Sequence, residues 1–148
     1  MFFFAHLLAG LIIGYLSGNY LIALVGALVL DLDHLWIYFK HKILFKPKKF
    51  WKTITSPKDP YGNQRNYLHS FLFWIIISIL ILLINWNIGV IFSLAYLSHL
   101  LLDLLDGSDF YPLYPIKWKV KGPIKYLSWK ELVFTLILLI IFIFFFSS

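Results

Sequence analysis

IGVIFSLAYLSHLLLDLL, Ile88 to Leu105, decides what kind of protein this is. The stretch is 18 residues long and has no Lys or Arg, yet it holds His99 and Asp103. An apolar run of that length is a candidate transmembrane helix, because about 30 Å of hydrocarbon takes roughly 20 residues. His99, Asp103 and Asp106 follow one another at i, i+4 and i+7, which puts them on one helical face. Ionisable groups at membrane depth are costly and point to function by default. Asn85-Trp86-Asn87 precedes the stretch and Asp106-Gly107-Ser108 follows it, both of them turn-prone.

Outward from this segment lie four more apolar stretches. Phe2 to Leu16 ends at the turn Ser17-Gly18-Asn19, and Tyr20 to Phe39 follows it. Tyr67 to Ile84 comes next, and Leu132 to Phe146, opened by Glu131, closes the chain. Spans of about 2–16, 20–39, 67–84, 88–105 and 131–146 are therefore expected, the first and last of them short. Composition agrees: 61% of the 148 residues are hydrophobic and 14% charged. Soluble domains average roughly 45–50% and 25%, and a small one cannot bury such an excess. The expected architecture is an all-α, polytopic integral membrane bundle of about five helices, a single domain over 1–148. Helices are the only reading, since open strands leave backbone groups unsatisfied in lipid. The absence of cysteine excludes disulfides, thiolate metal sites and cysteine nucleophiles. The first stretch has no basic residue ahead of it and carries His6, so it reads as a retained helix rather than a signal peptide.

The net charge of +6 is sharply localised. Of the 13 Lys and Arg, eight lie between Lys40 and Arg65 and five between Lys117 and Lys130. Five spans with tight turns place both basic loops, 40–66 and 107–130, on one face of the membrane. The positive-inside rule makes that face, with the N-terminus, cytoplasmic. The same topology puts the polar groups of four helices at that end. His6 lies near the start of the first span, Asp31, Asp33 and His34 late in the second, His69 at the start of the third, and His99, Asp103 and Asp106 late in the fourth.

Imidazole nitrogens with carboxylate oxygens and no thiolate suit a divalent ion, zinc first, with Mn²⁺ or Fe²⁺ as alternatives. The donors exceed what one tetrahedral ion needs, so two ions sharing a carboxylate are conceivable. His6, Asp31, His34, His69, His99 and Asp103 are the expected ligands. Asp31 and His34, at i and i+3, share a face; Asp33 reaches the site only if the helix ends near it. Asp33 or Asp106 would orient a ligand or act as general base, and Arg65 could clamp a phosphate. His41 reads as a solvated loop residue, Asp59 and Asp109 as partners of loop lysines, and Glu131 as a carboxylate at a helix N-terminus.

At these residues the sequence resembles the LexA-regulated, inner-membrane YdjM-like metal-dependent hydrolases. The matching pieces are His6; Asp31-Leu32-Asp33-His34; Gln64-Arg65-Asn66-Tyr67-Leu68-His69-Ser70; and Ser98-His99-Leu100-Leu101-Leu102-Asp103, followed by Tyr114-Pro115. The third piece departs from the family's His-Arg-Gly-x-Thr-His-Ser at Gln64, Asn66 and Leu68, and Leu30 stands where the family often has Pro. A fainter similarity links the His99–Asp103 element to zinc-dependent phospholipase C. The resemblance implies a metal-dependent hydrolase.

Lys46, Lys48 and Lys49 stand among Phe45, Phe50 and Trp51, a mixture suited to anionic headgroups, so membrane lipids are expected partners. A site at that depth suits a phosphoester of a lipid or lipid-linked substrate, attacked by a water that the metal acidifies. The alternative is a non-enzymatic membrane protein with a structural or transported ion. No nucleic-acid partner is expected, because the basic loops lie at a membrane surface and carry no recognised binding motif.

Overall fold

The computed structural model describes residues 3–55, 65 and 67–147. Among the described residues seven α-helices form, in chain order: α1 (Phe3–Ser17), α2 (Tyr20–Leu28), α3 (Leu32–Lys40), α4 (Pro47–Ile54), α5 (Phe71–Ile84), α6 (Trp86–Leu105) and α7 (Trp129–Ser147). A single 3₁₀ turn, Val29–Asp31, joins α2 to α3, so Tyr20–Lys40 reads as one long rod with an irregular middle. Strand pairing among the described residues is limited to two isolated bridges. Tyr20–Lys40, Trp86–Leu105 and Trp129–Ser147 are long and apolar enough to cross a membrane, while α1 and α5 are shorter apolar helices.

Two tight reversals set the order. At the first, Gly18 takes a left-handed backbone (φ +69°) and the Asn19 side chain accepts from the Ile22 N–H to cap α2. At the second, Asn85 both ends α5 and caps α6, accepting from the Ile88 N–H at 3.0 Å. The chain therefore turns at one residue rather than three, and α6 gains a first turn from Trp86.

Helix α6 is the hub, packing on α1, α2 and α5, while α7 packs on α1. About half of α6 is buried, against 6% of α7, so α7 leaves most of its apolar surface free to meet lipid. Small residues let α2 approach α6 closely: Ala23, Ala27 and Ala95 form one buried cluster. A Cβ on Gly26 would sit 2.7 Å from the Phe92 carbonyl oxygen and 2.9 Å from Ala95 Cβ. Gly26→Leu should therefore separate the helices at a cost of about 1–3 kcal/mol. Thermal unfolding in detergent checks this, and wild-type stability in the variant would refute it.

The structure shifts two expected boundaries. Helix α5 starts at Phe71 rather than Tyr67. Ser70 caps it by accepting from the Leu72 N–H, and the Phe71 N–H donates to the Pro112 carbonyl at 2.8 Å. His69 consequently sits in the turn just ahead of the helix, not in its first turn. Helix α7 starts earlier than expected, at Trp129. Ser128 accepts from the Glu131 N–H at 3.4 Å and Glu131 Oε2 accepts from the Leu127 N–H at 2.7 Å, a close relative of the capping box. Glu131 thus has the helix-terminal role expected of it.

The segment after α6 folds back under the bundle. Phe110 and Val120 exchange two backbone hydrogen bonds, and the Ile124 N–H donates to the Leu105 carbonyl. Gly122 passes so close to the end of α6 that a Cβ there would lie 2.1 Å from the Leu105 carbonyl carbon. Surface-exposed Asp109 takes Lys121 at 2.9 Å and Lys119 at 3.2 Å, as its loop position suggested. Asp59 lies outside the described residues.

Hydrogen bonds from Lys121 and Lys119 hold the Asp109 carboxyl below the usual carboxylate range. A lowered folded-state pKa gives stability that is present above the unfolded value and lost as pH falls through the folded one. Asp109→Asn should therefore lower stability slightly at neutral pH and make no difference once the wild-type carboxyl is protonated. Melting curves at both pH values test this. The effect is small because both lysines are about half exposed.

Candidate metal centre

Asp103 is the centre of the polar cluster. Its Oδ1 lies 3.6 Å from His6 Nε2 and 3.1 Å from Arg65 Nη2. Its Oδ2 lies 3.6 Å from both His69 Nε2 and His99 Nε2. His6, His69, His99 and Asp103 are each 1–2% exposed. Their arrival at one place follows from the fold: the start of α1, the turn before α5 and the last turns of α6 meet at one end of the bundle, beside the Val29–Asp31 turn.

Tautomers can be assigned from the neighbours. His99 Nδ1 is 2.6 Å from the Ala27 carbonyl oxygen, which can only accept, so Nδ1 carries the hydrogen and Nε2 the lone pair. His69 Nδ1 is 3.4 Å from Asp33 Oδ2, and the same logic leaves its Nε2 as an acceptor. Both Nε2 atoms therefore aim lone pairs at carboxylate oxygens. Neither has a hydrogen-bond partner among the described residues, nor does Asp31 Oδ2 or His6 Nδ1. Converging acceptors in a dry site repel one another unless a cation lies between them. The spacing fits one: two ligands about 2.0–2.1 Å from a tetrahedral ion lie roughly 3.4 Å apart.

Two overlapping donor groups meet that condition, His6 with His99 and Asp103, and Asp31 with His69 and His99. Asp31 Oδ1 is 3.9 Å from His99 Nε2 and 4.0 Å from His34 Nε2. His34 stands at the rim and lies outside both groups, its ring centroid 5.6 Å from that of His69. His6 and His99 stack with ring centroids 3.7 Å apart. Asp33 reaches the cluster because the 3₁₀ turn breaks the regular helix just ahead of it. The side chains of Asp31, Asp33 and His34 are 21–29% exposed, so they form the open edge of an otherwise sealed site.

Arg65 and Asp106 form the inner wall. Arg65 Nη2 bonds Asp106 Oδ2 as well as Asp103, and Nη1 donates to Ser108 Oγ at 2.7 Å. Ser108 donates from Oγ to Asp106 Oδ2 at 2.9 Å and from its N–H to Oδ1 at 3.2 Å. Burial works against the charge on Arg65, but Asp103 and Asp106 outweigh it and raise the guanidinium pKa above its already high ordinary value. The sequence reading placed Ser108 in a turn and Ser70 in the family motif but gave neither its bonding role, and it did not single out Ser128. The Ser128-x-x-Glu131 spacing was the one local signal for the last of them. Gln64 and Asn66 lie outside the described residues.

The fold and the cluster together define a helical membrane protein with a buried His–Asp–Arg site at one end of its bundle. No curated protein and no solved structure matches the chain. The chain belongs to the YdjM inner membrane protein family, whose model matches residues 1–148.

Proposed function

We propose that this chain is a membrane-embedded metal-dependent hydrolase acting on a phosphoester of a lipid or lipid-linked substrate at the cytoplasmic interface. One observation carries the reading: the unpartnered Nε2 lone pairs of His69 and His99 converge on Asp103 in a buried site. His6, Asp31, His69, His99 and Asp103 would hold the ion, zinc first and Mn²⁺ or Fe²⁺ next, with His34 close enough to join from the rim. A bound ion would supply Lewis acidity and acidify a water for attack on phosphorus. Asp33 holds His69 in its tautomer and, being on the open edge, is the better placed of the two candidate bases. Asp106 is committed to Arg65 and Ser108 and holds the wall behind Asp103. Five crossings, with both basic loops and the cluster on the cytoplasmic side, would set the site at headgroup depth among the membrane lipids. Helices α1 and α5 would then need a locally thinned bilayer.

The near-complete burial of His6, His69, His99 and Asp103 supports a second reading, an ion that only stabilises the fold. Metal analysis of detergent-purified protein, before and after chelation, comes first. An ion-free wild type, unable to take up Zn²⁺ or Mn²⁺, sinks both readings. Lipid phosphatase and phosphodiesterase assays then separate them. Chelator-sensitive hydrolysis supports the enzyme, and metal retention without hydrolysis leaves the structural ion.

A further inference from the structure

From Lys40 to Ile54 the chain carries Lys40, Lys42, Lys46, Lys48, Lys49 and Lys52 and no acidic residue. Within it α4 forms, with Pro47 at its first turn. At 100° per residue, Pro47, Phe50, Trp51 and Ile54 share one side of this helix and Lys48, Lys49 and Lys52 the other. Two contacts seat it. The Phe50 ring meets Tyr38 edge to face at 5.8 Å, and Tyr126 Oη donates to the Ile54 carbonyl at 2.6 Å. Trp51 is left 67% exposed. Just ahead of the helix, Ile43 is fully buried while Phe45 is exposed, its ring 6.3 Å from that of Phe39. Phe39 in turn lies 6.3 Å from Trp36, at the end of a membrane-spanning rod.

We infer that α4 is an interfacial helix that binds anionic phospholipid headgroups. Trp51 and Phe45 enter the boundary between headgroups and acyl chains, and Lys46, Lys48, Lys49 and Lys52 pair with lipid phosphates. Both halves of the surface are needed to choose this partner. Bare apolar docking would leave Lys46, Lys48 and Lys52 without counter-charge, and a purely electrostatic partner would leave Trp51 and Phe45 in water. Continuity with the rod that ends at Lys40 places the helix where a membrane surface begins. The inference is independent of what the polar cluster does.

The protein has no cysteine, so single labels are clean. Nitroxides at Trp51→Cys and, separately, Lys48→Cys report depth in nanodiscs of phosphatidylcholine alone or mixed with phosphatidylglycerol. In the anionic discs the label at 51 should favour oxygen over a water-soluble nickel chelate by several-fold more than the label at 48. Raising the salt should reduce that contrast. A quadruple Lys→Gln change at 46, 48, 49 and 52 should abolish the dependence on phosphatidylglycerol, each lysine being worth about fivefold in affinity. Equal nickel access at 51 in both disc types overturns the inference. So does a phosphatidylglycerol dependence that survives the quadruple change.

Discussion

Arg65→Met should destabilise the protein by about 3–5 kcal/mol, the usual cost of removing one partner from a buried ion pair. The size comes from what is left behind rather than from the bonds lost. Asp103 and Asp106 face Arg65 with side chains only 1% and 3% exposed, so both carboxylates would lose their shared cation in a dry site. Arg65→Lys should recover only part of the loss. One ammonium cannot reproduce a planar fork that reaches Asp103, Asp106 and Ser108 together. Ser108→Ala should cost less, because it removes one neutral donor and leaves the charges matched. Denaturation of the three variants in the same detergent gives the ranking. An Arg65→Met protein within about 1 kcal/mol of wild type would mean the pair is screened like a surface one.

That inward role for Arg65 was not legible in the sequence. It closes a basic loop and reads from the sequence as a phosphate clamp, and its partners Asp106 and Ser108 lie 41 and 43 residues away. No periodicity reports such a contact. By contrast, the His99–Asp103 pair was readable because an α-helix fixes i and i+4 on one face whatever surrounds it. The helix breaks divide in the same way. The turns at Gly18 and Asn85 announce themselves through residues with local turn chemistry. The 3₁₀ turn at Val29–Asp31 has no Gly or Pro to announce it, and its Leu30 is buried in the core. That turn is what brings Asp33 to His69, so the sequence could pose the question of Asp33 but not answer it. The start of α5 fell between these cases. Tyr67 and Leu68 look like helix, but a cap at Ser70 and a long-range bond from Phe71 to Pro112 begin it later.

His99→Ala should remove more metal affinity than any other single histidine change, by more than about 100-fold. The reason is its position in the geometry: both donor groups contain His99, whereas His6 and His69 each belong to one. Its Nδ1 bond to the Ala27 carbonyl ties it to α2, so Nε2 arrives already aimed at Asp103 and Asp31. Such pre-orientation by an outer partner is itself worth roughly 10–100-fold in affinity, and losing the ligand loses that as well. His6→Ala leaves Asp31, His69 and His99 intact and should reduce affinity without abolishing it. His34→Ala, at the rim, should do least. Titration of Zn²⁺ and Mn²⁺ into the metal-stripped proteins gives the order, with unfolding measured alongside to exclude variants that have lost the bundle. A folded His99→Ala protein that binds metal like wild type would place the ion away from Asp103. Equal losses for His6→Ala and His99→Ala would mean that the ion uses the His6 group alone. In that case Asp31 and His69 would serve the open edge of the site rather than the ion.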